Sequence, residues 1–113
     1  RDRRNPLHAA EWTTEYPSKA IFPMAAIVAH ARGLAYGDVT VPVLFYYSDD
    51  DTVVRPDLTA GVELGWGGPV TRMRPALAPG DDAHAHVIAG DVVSPGNTEG
   101  AITLMLGWIN GIL

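Results

Sequence analysis

Residues 39–47 read VTVPVLFYY. Apolar and β-branched residues run on here without alternating with polar ones. That pattern belongs to a strand covered on both faces, as in a parallel sheet flanked by helices. Pro42 should sit near the start of the strand, where a ladder donor is dispensable. Such a strand needs neighbours on both edges and a layer on each face, and this constrains everything else the chain can do. The run stops at SDDD, residues 48–51, and apolar residues return at once in TVV. Adjacent like charges repel, so at least one of these carboxylates is expected to be held by a partner.

The rest of the chain supplies layers but few strands. Residues 1–17 read as an irregular lead-in with Pro6 and Pro17. Ser18 is a plausible N-cap for a helix over Lys19 to Arg32 with Gly33 as its C-cap. Pro23 either kinks that helix or marks its true start, because proline is tolerated only in the first turn. Ala26, Ile27, His30 and Ala31 fall at helical spacing and predict one buried face. Pro56 to Leu64 reads as a second helix, ended by the loop LGWGG. Val70 to Leu77 reads as a second strand, with Val70, Arg72 and Arg74 on one face and Thr71, Met73 and Pro75 on the other. After the loop APGDDAHAHVIAGDVVSPGN, a helix is expected over Thr98 to Leu113, capped by Asn97 or Thr98 with Glu99 in its first turn. Its apolar residues nearly encircle it, so it calls for cover on more than one side. Gly107 and Gly111 suggest close approach to a sheet or simply weak helix propensity. The order helix, strand, helix, strand, helix over 18–113 predicts an α/β architecture with parallel strands. Two strands cannot complete such a sheet, and the first strand gains at most one neighbour from this chain.

Composition sets outer limits. At 113 residues the chain suits one domain, and 47% hydrophobic residues suit a folded core. The net charge is -5 and the only basic cluster is Arg1, Arg3 and Arg4. No basic stripe with interleaved aromatics follows it, so a nucleic-acid partner is not expected. There is no cysteine, which excludes disulfides and thiolate metal sites. No apolar run reaches the roughly 18 residues of a membrane span. The opening RDRRNPLH, without methionine, suggests a fragment or processed product.

In open α/β sheets, functional groups gather beyond the carboxyl ends of strands. Asp49, Asp50 and Asp51 follow the first expected strand. Asp81, Asp82, His84 and His86 follow the second. A carboxylate and an imidazole on neighbouring strand ends could pair. The carboxylate would hold one tautomer, and the imidazole would serve as a general base. VPVLFYYSDDDTVV followed by HVIAGDVVSPGNTEGAITLMLGWING resembles the C-terminal part of an α/β-hydrolase. In that family a buried strand ends in a turn of the form Tyr-Gly/Ser-x-x-Asp-x-Val-Val, whose aspartate is the acid of the triad. Tyr47 to Val54 fill that pattern, and the resemblance implies Asp51 as the acid. It implies His86 as the triad histidine, with His84 the runner-up, and Asp49 and Asp50 as turn and solubility residues. EWTTEYPSKAIFPMAAIVAHAR looks like the segment between the cap region and the last two strands, so the resemblance covers most of the chain.

One departure stands out. The family's serine lies in G-x-S-x-G before the acid, and no such motif is present. Ser18, Ser48 and Ser94 stand in PSK, YSD and VSP. G-x-G-x-x-G is absent as well, and GWGG at 65–68 reads only as a loop. The resemblance therefore implies a C-terminal segment of an α/β-hydrolase domain, residues 1–113, whose nucleophile lies upstream. The complete enzyme would act on a small-molecule ester, amide or similar acyl bond, with no cofactor. Two other possibilities stay open. One is a non-catalytic α/β piece that self-associates or binds a partner. The other is a small metal-binding domain using His84 and His86 with Asp81 or Asp82 nearby. His8 and His30 are isolated, and Trp12, Trp66 and Trp108 read as packing aromatics.

Overall fold

A computed structural model describes residues 5–13 and 15–113. The Arg1, Arg3 and Arg4 cluster lies outside the described residues. The architecture is a small mixed α/β arrangement around two parallel strands. In chain order it comprises α1 (Pro6–Glu11), α2 (Ile21–Arg32), β1 (Val43–Tyr46), α3 (Pro56–Gly65), β2 (Val70–Met73) and α4 (Thr98–Ile112), with 3-10 turns at Ser18–Ala20, Tyr36–Asp38 and Pro95–Asn97.

Both strands are shorter than the sequence suggests, for local reasons. Pro42 has no donor, so pairing begins when the Val43 amide donates to the Pro69 carbonyl at 2.9 Å. At the other end the Arg72 guanidinium takes the Tyr47 carbonyl at 2.7 Å, which closes the ladder after Tyr46. In β2, Arg74 turns to an ion pair with Asp49 and Pro75 offers no donor, so residues 74–77 leave the sheet. The register pairs Val43 with Val70 and Tyr46 with Met73, so both strands end level with each other. The loop GWGG is also a packing point. A Cβ on Gly68 would lie 2.5 Å from the Thr40 and Val41 carbonyl oxygens, and one on Gly67 would lie 2.0 Å from the Gly37 carbonyl oxygen. Only glycine lets these two backbone segments meet.

The helices bring three corrections. The lead-in is not wholly irregular. Asn5 caps α1 by accepting the His8 amide at 2.7 Å, and Pro6 supplies the preset first position. The side-chain amide of Asn5 then donates to the Val92 carbonyl at 2.7 Å, fastening α1 to the loop before α4. Helix α2 begins at Ile21 after a 3-10 turn, so Pro23 lies in its first turn and kinks nothing. The expected buried face of α2 is absent: no residue of the helix is buried, and Phe22 and Ile27 are 77% and 69% exposed. Only Ala31, of the four residues expected to face inward, is even half-buried. The reason lies in the sheet, where two four-residue strands are too narrow to cover this helix.

Helix α4 does pack, along one stripe. Ala101 is buried, Leu104 and Trp108 are half-buried, and these positions recur at helical spacing. The Trp108 indole donates to the Thr71 hydroxyl at 3.1 Å and ties α4 to β2. Ile102, Met105, Leu106 and Ile109 remain exposed on its other sides. Gly107 and Gly111 have open space where a Cβ would stand, so they mark no close approach to a sheet. The radius of gyration is 16.1 Å, against about 13 Å for a compact domain of this length.

Candidate functional site

Because β1 and β2 end level, the loops that leave them emerge side by side. The β1 exit is a tight polar turn. The Ser48 hydroxyl accepts the Asp50 amide at 3.1 Å, and Asp51 Oδ1 accepts the amides of Val53 and Val54 at 2.8 and 3.0 Å. This local capping uses one carboxylate oxygen and leaves the other free to face the neighbouring loop. There Asp51 Oδ2 lies 2.9 Å from His86 Nδ1, although the two residues are 35 positions apart. The Asp51 side chain is only 8% exposed and that of His86 30%.

Burial pushes the Asp51 carboxyl up. The Val54 amide, His86 and the Val53 amide together outweigh that and hold it below the ordinary carboxylate range. An ionised carboxylate only accepts hydrogen bonds, so His86 Nδ1 carries the proton. Nε2 then has its lone pair available, and it has no hydrogen-bond partner among the described residues. A partly exposed neutral imidazole in this tautomer can take a proton at Nε2, and the carboxylate behind it stabilises the resulting cation.

His84 sits in the same loop but is engaged differently. Its Nδ1 is 2.9 Å from the Thr52 hydroxyl, and its carbonyl accepts the Thr52 amide at 3.0 Å. It thus stitches the two loops together beside the Asp51–His86 contact. The two imidazoles take separate partners. Among the described residues no three His, Asp or Glu side chains are grouped so as to hold a metal ion. Asp81 is occupied by the amides of Ala78 and Gly96, both at 2.8 Å.

Asp49, Asp50 and Asp51 are not equivalent. Asp50 is exposed and turns its amide to Ser48. Asp49 is more than a solubility residue, because it pairs with Arg72 at 2.8 Å and with Arg74. The Arg74 and Arg72 guanidinium groups outweigh partial desolvation and hold the Asp49 carboxyl below its ordinary range. Arg72 is the centre of this cluster. It lies 3.4 Å over the Tyr47 ring and approaches Glu63 at 3.5 Å, while the Tyr47 hydroxyl donates to Glu63 at 3.1 Å. Desolvation, followed by the bond to Glu63, raises the Tyr47 phenol pKa.

Two further residues shape the site, and sequence reasoning missed both roles. Arg72, on the second strand, fixes the exit of the first by holding the Tyr47 carbonyl and Asp49. Asp82 underlies the histidine loop and is buried. The sequence pattern DDAHAH marks it as polar but gives no sign that it points inward. The serines of the chain hold structural positions. Ser18 starts a 3-10 turn, Ser48 caps the acid turn, and Ser94 is fully buried between the Asp82 amide and the Val87 carbonyl.

No protein-family model, curated protein or solved structure matches this chain.

Proposed function

We propose that this chain carries the acid and the base of a Ser-Asp-His hydrolase acting on ester, amide or similar acyl bonds, with the serine supplied by a segment preceding Arg1. The carrying observation is the 2.9 Å contact between His86 Nδ1 and a well-shielded Asp51 carboxylate, in the loops that follow two parallel strands ending level. In this scheme Asp51 orients His86 and stabilises its protonated form. His86 Nε2 takes the proton of the serine hydroxyl as that oxygen attacks the acyl carbon, and later returns it to the leaving oxygen or nitrogen. No cofactor enters. The small-molecule substrate is bound largely by the segment that brings the serine.

The test joins this chain to the sequence encoded immediately before Arg1 and follows turnover of p-nitrophenyl esters. A G-x-S-x-G motif in that segment and measurable turnover are expected. His86→Ala and Asp51→Ala should each abolish most of the activity. If both variants keep turnover within about twofold of the parent, against the thousandfold or greater losses usual for triad members, the proposal fails.

A second reading draws on a separate observation. Exposed apolar residues on α2 and α4, among them Phe22, Met24, Ile27, Ile102 and Leu106, form faces that call for cover. On this reading the chain is a non-catalytic assembly piece that pairs with a partner or a second copy. Sedimentation showing a well-folded monomer over a wide concentration range would eliminate it.

A further inference from the structure

The histidine loop is wrapped around a single carboxylate. Asp82 Oδ1 accepts the His84 amide at 3.1 Å, and Oδ2 accepts the amides of His86 and Val87 at 3.2 and 2.9 Å. The loop closes on itself when the Ala85 amide donates to the Asp82 carbonyl at 2.8 Å. Ala85 is driven to a φ of 50°, the left-handed region that side chains avoid. A backbone strained in this way persists only where its surroundings over-determine it. Here three converging N–H groups on one buried acceptor do so. Ser94 braces the arrangement from below. Its hydroxyl accepts the Asp82 amide at 3.0 Å and donates to the Val87 carbonyl.

We infer that Asp82 is a positioning residue for His86: by gathering the His84, His86 and Val87 amides it sets the backbone from which the imidazole reaches Asp51. This deepens the assignment of His86 as base and rests on it. Asp82 does not touch the imidazole through any of these bonds. It acts on the backbone, whereas Asp51 acts on the ring. Replacing Asp82 with asparagine keeps the shape but turns one acceptor oxygen into a donor NH2, so the amides can no longer all be satisfied. Ala85 then relaxes, the His86 backbone moves, and Nδ1 loses Asp51. The ring reverts to the Nε2–H tautomer that free histidine prefers, which cannot accept a proton at Nε2.

The test is 15N NMR of histidine-labelled 113-residue chain, at a pH where His86 is neutral. The wild type should show His86 with Nδ1 protonated, and Asp51→Asn should lose that signature. Asp82→Asn should reduce the Nδ1–H form from the majority to the minority species while the chain stays folded. Ser94→Ala, which removes the brace and leaves the carboxylate, should shift the balance in the same direction by less. Asp81→Asn is the control, because its carboxylate caps Ala78 and Gly96 and not the histidine loop; it should leave the tautomer unchanged. A wild-type His86 lacking the Nδ1–H form overturns both the assignment of the base and the role of Asp82. A wild type that has it, with Asp82→Asn still folded and retaining it, overturns the positioning role alone. If Asp82→Asn does not fold, Ser94→Ala decides, and an unchanged tautomer there also overturns the role. An equal shift in Asp81→Asn does the same.

Discussion

The strand-end loops and the helix faces of this molecule are organised in opposite ways. Around Asp51 and His86 the chain buries polar groups and satisfies them. Of the described residues classed as buried, His8, Ser48, Asp82, Ser94 and Asn97 are polar, and only Ala85, Val93 and Ala101 are apolar. Asn97, for example, gives its amide to the Tyr46 hydroxyl at 2.7 Å and to the Ile88 carbonyl at 2.6 Å. On α2 and the outer sides of α4, large apolar side chains stand in solvent. The usual partition is inverted, since apolar residues ordinarily lead the buried set. A polar cluster of this kind can be built from nearby loops alone. A hydrophobic layer needs a sheet wide enough to lie against, and two strands are not wide enough. The difference shows that the polar site is built from this chain's own loops, while its helices leave apolar faces exposed.

The sharpest way to break this comparison is to disable one side and watch the other. On the hydrolase reading proposed above, in a chain joined to the sequence encoded before Arg1, Asp51→Asn should lower kcat about ten-thousand-fold, because the wrong imidazole tautomer is held. Phe22→Glu on α2 should leave the Nδ1–H signature of His86 intact in the isolated chain while weakening association with that segment. Loss of the signature in Phe22→Glu would mean that the two regions are not separable. Arg72→Met comes next. It removes the hold on the Tyr47 carbonyl and Asp49 and should destabilise the chain by about 1–3 kcal/mol, read from urea midpoints. Gly68→Ala should cost a similar amount, about 1–3 kcal/mol, because the added methyl meets backbone that cannot swing aside.

The pH dependence follows from Asp51, whose carboxyl is held below its ordinary value. A depressed folded-state pKa adds stability above the unfolded value of about 3.9 and loses it as pH falls through the folded value. The stability gap between wild type and Asp51→Asn should therefore be full at neutral pH and close progressively below about pH 4. A gap that fails to close in acid, once the carboxylate is protonated, would contradict the pairing. The smallest effect belongs to the helix side. Gly107→Ala in α4, with open space around it, should stabilise the chain by about 0.5–1 kcal/mol through helix propensity alone.

Much of the frame was legible in the sequence. The unbroken apolar run located β1 and pointed to a parallel sheet, Val70 to Leu77 contained its neighbour, and Pro56, Gly33, Asn97 and Glu99 marked helix ends that the structure keeps to within a residue or two. Two strand-end clusters pointed to one place. What the sequence hid was direction. Nothing in VTRM says that Arg72 turns across the sheet to Tyr47, and nothing in DDAHAH says that the second aspartate of that segment faces inward. Helical spacing in α2 marked a face able to be buried, but spacing cannot say whether anything lies against it. The short helix α1 begins at Asn-Pro, an N-cap followed by a preset first position, but six residues are too few for periodicity to register, and the segment read as irregular.

The level ending of the two strands acts as a vernier for the site. A strand advances about 3.3 Å per residue, more than the whole 2.9 Å separating His86 from Asp51. Sliding β1 against β2 by a single position would shift the acid turn against the histidine loop by more than the length of the contact itself. The imidazole–carboxylate contact thus depends on the register of the two strands as well as on the loops that carry it.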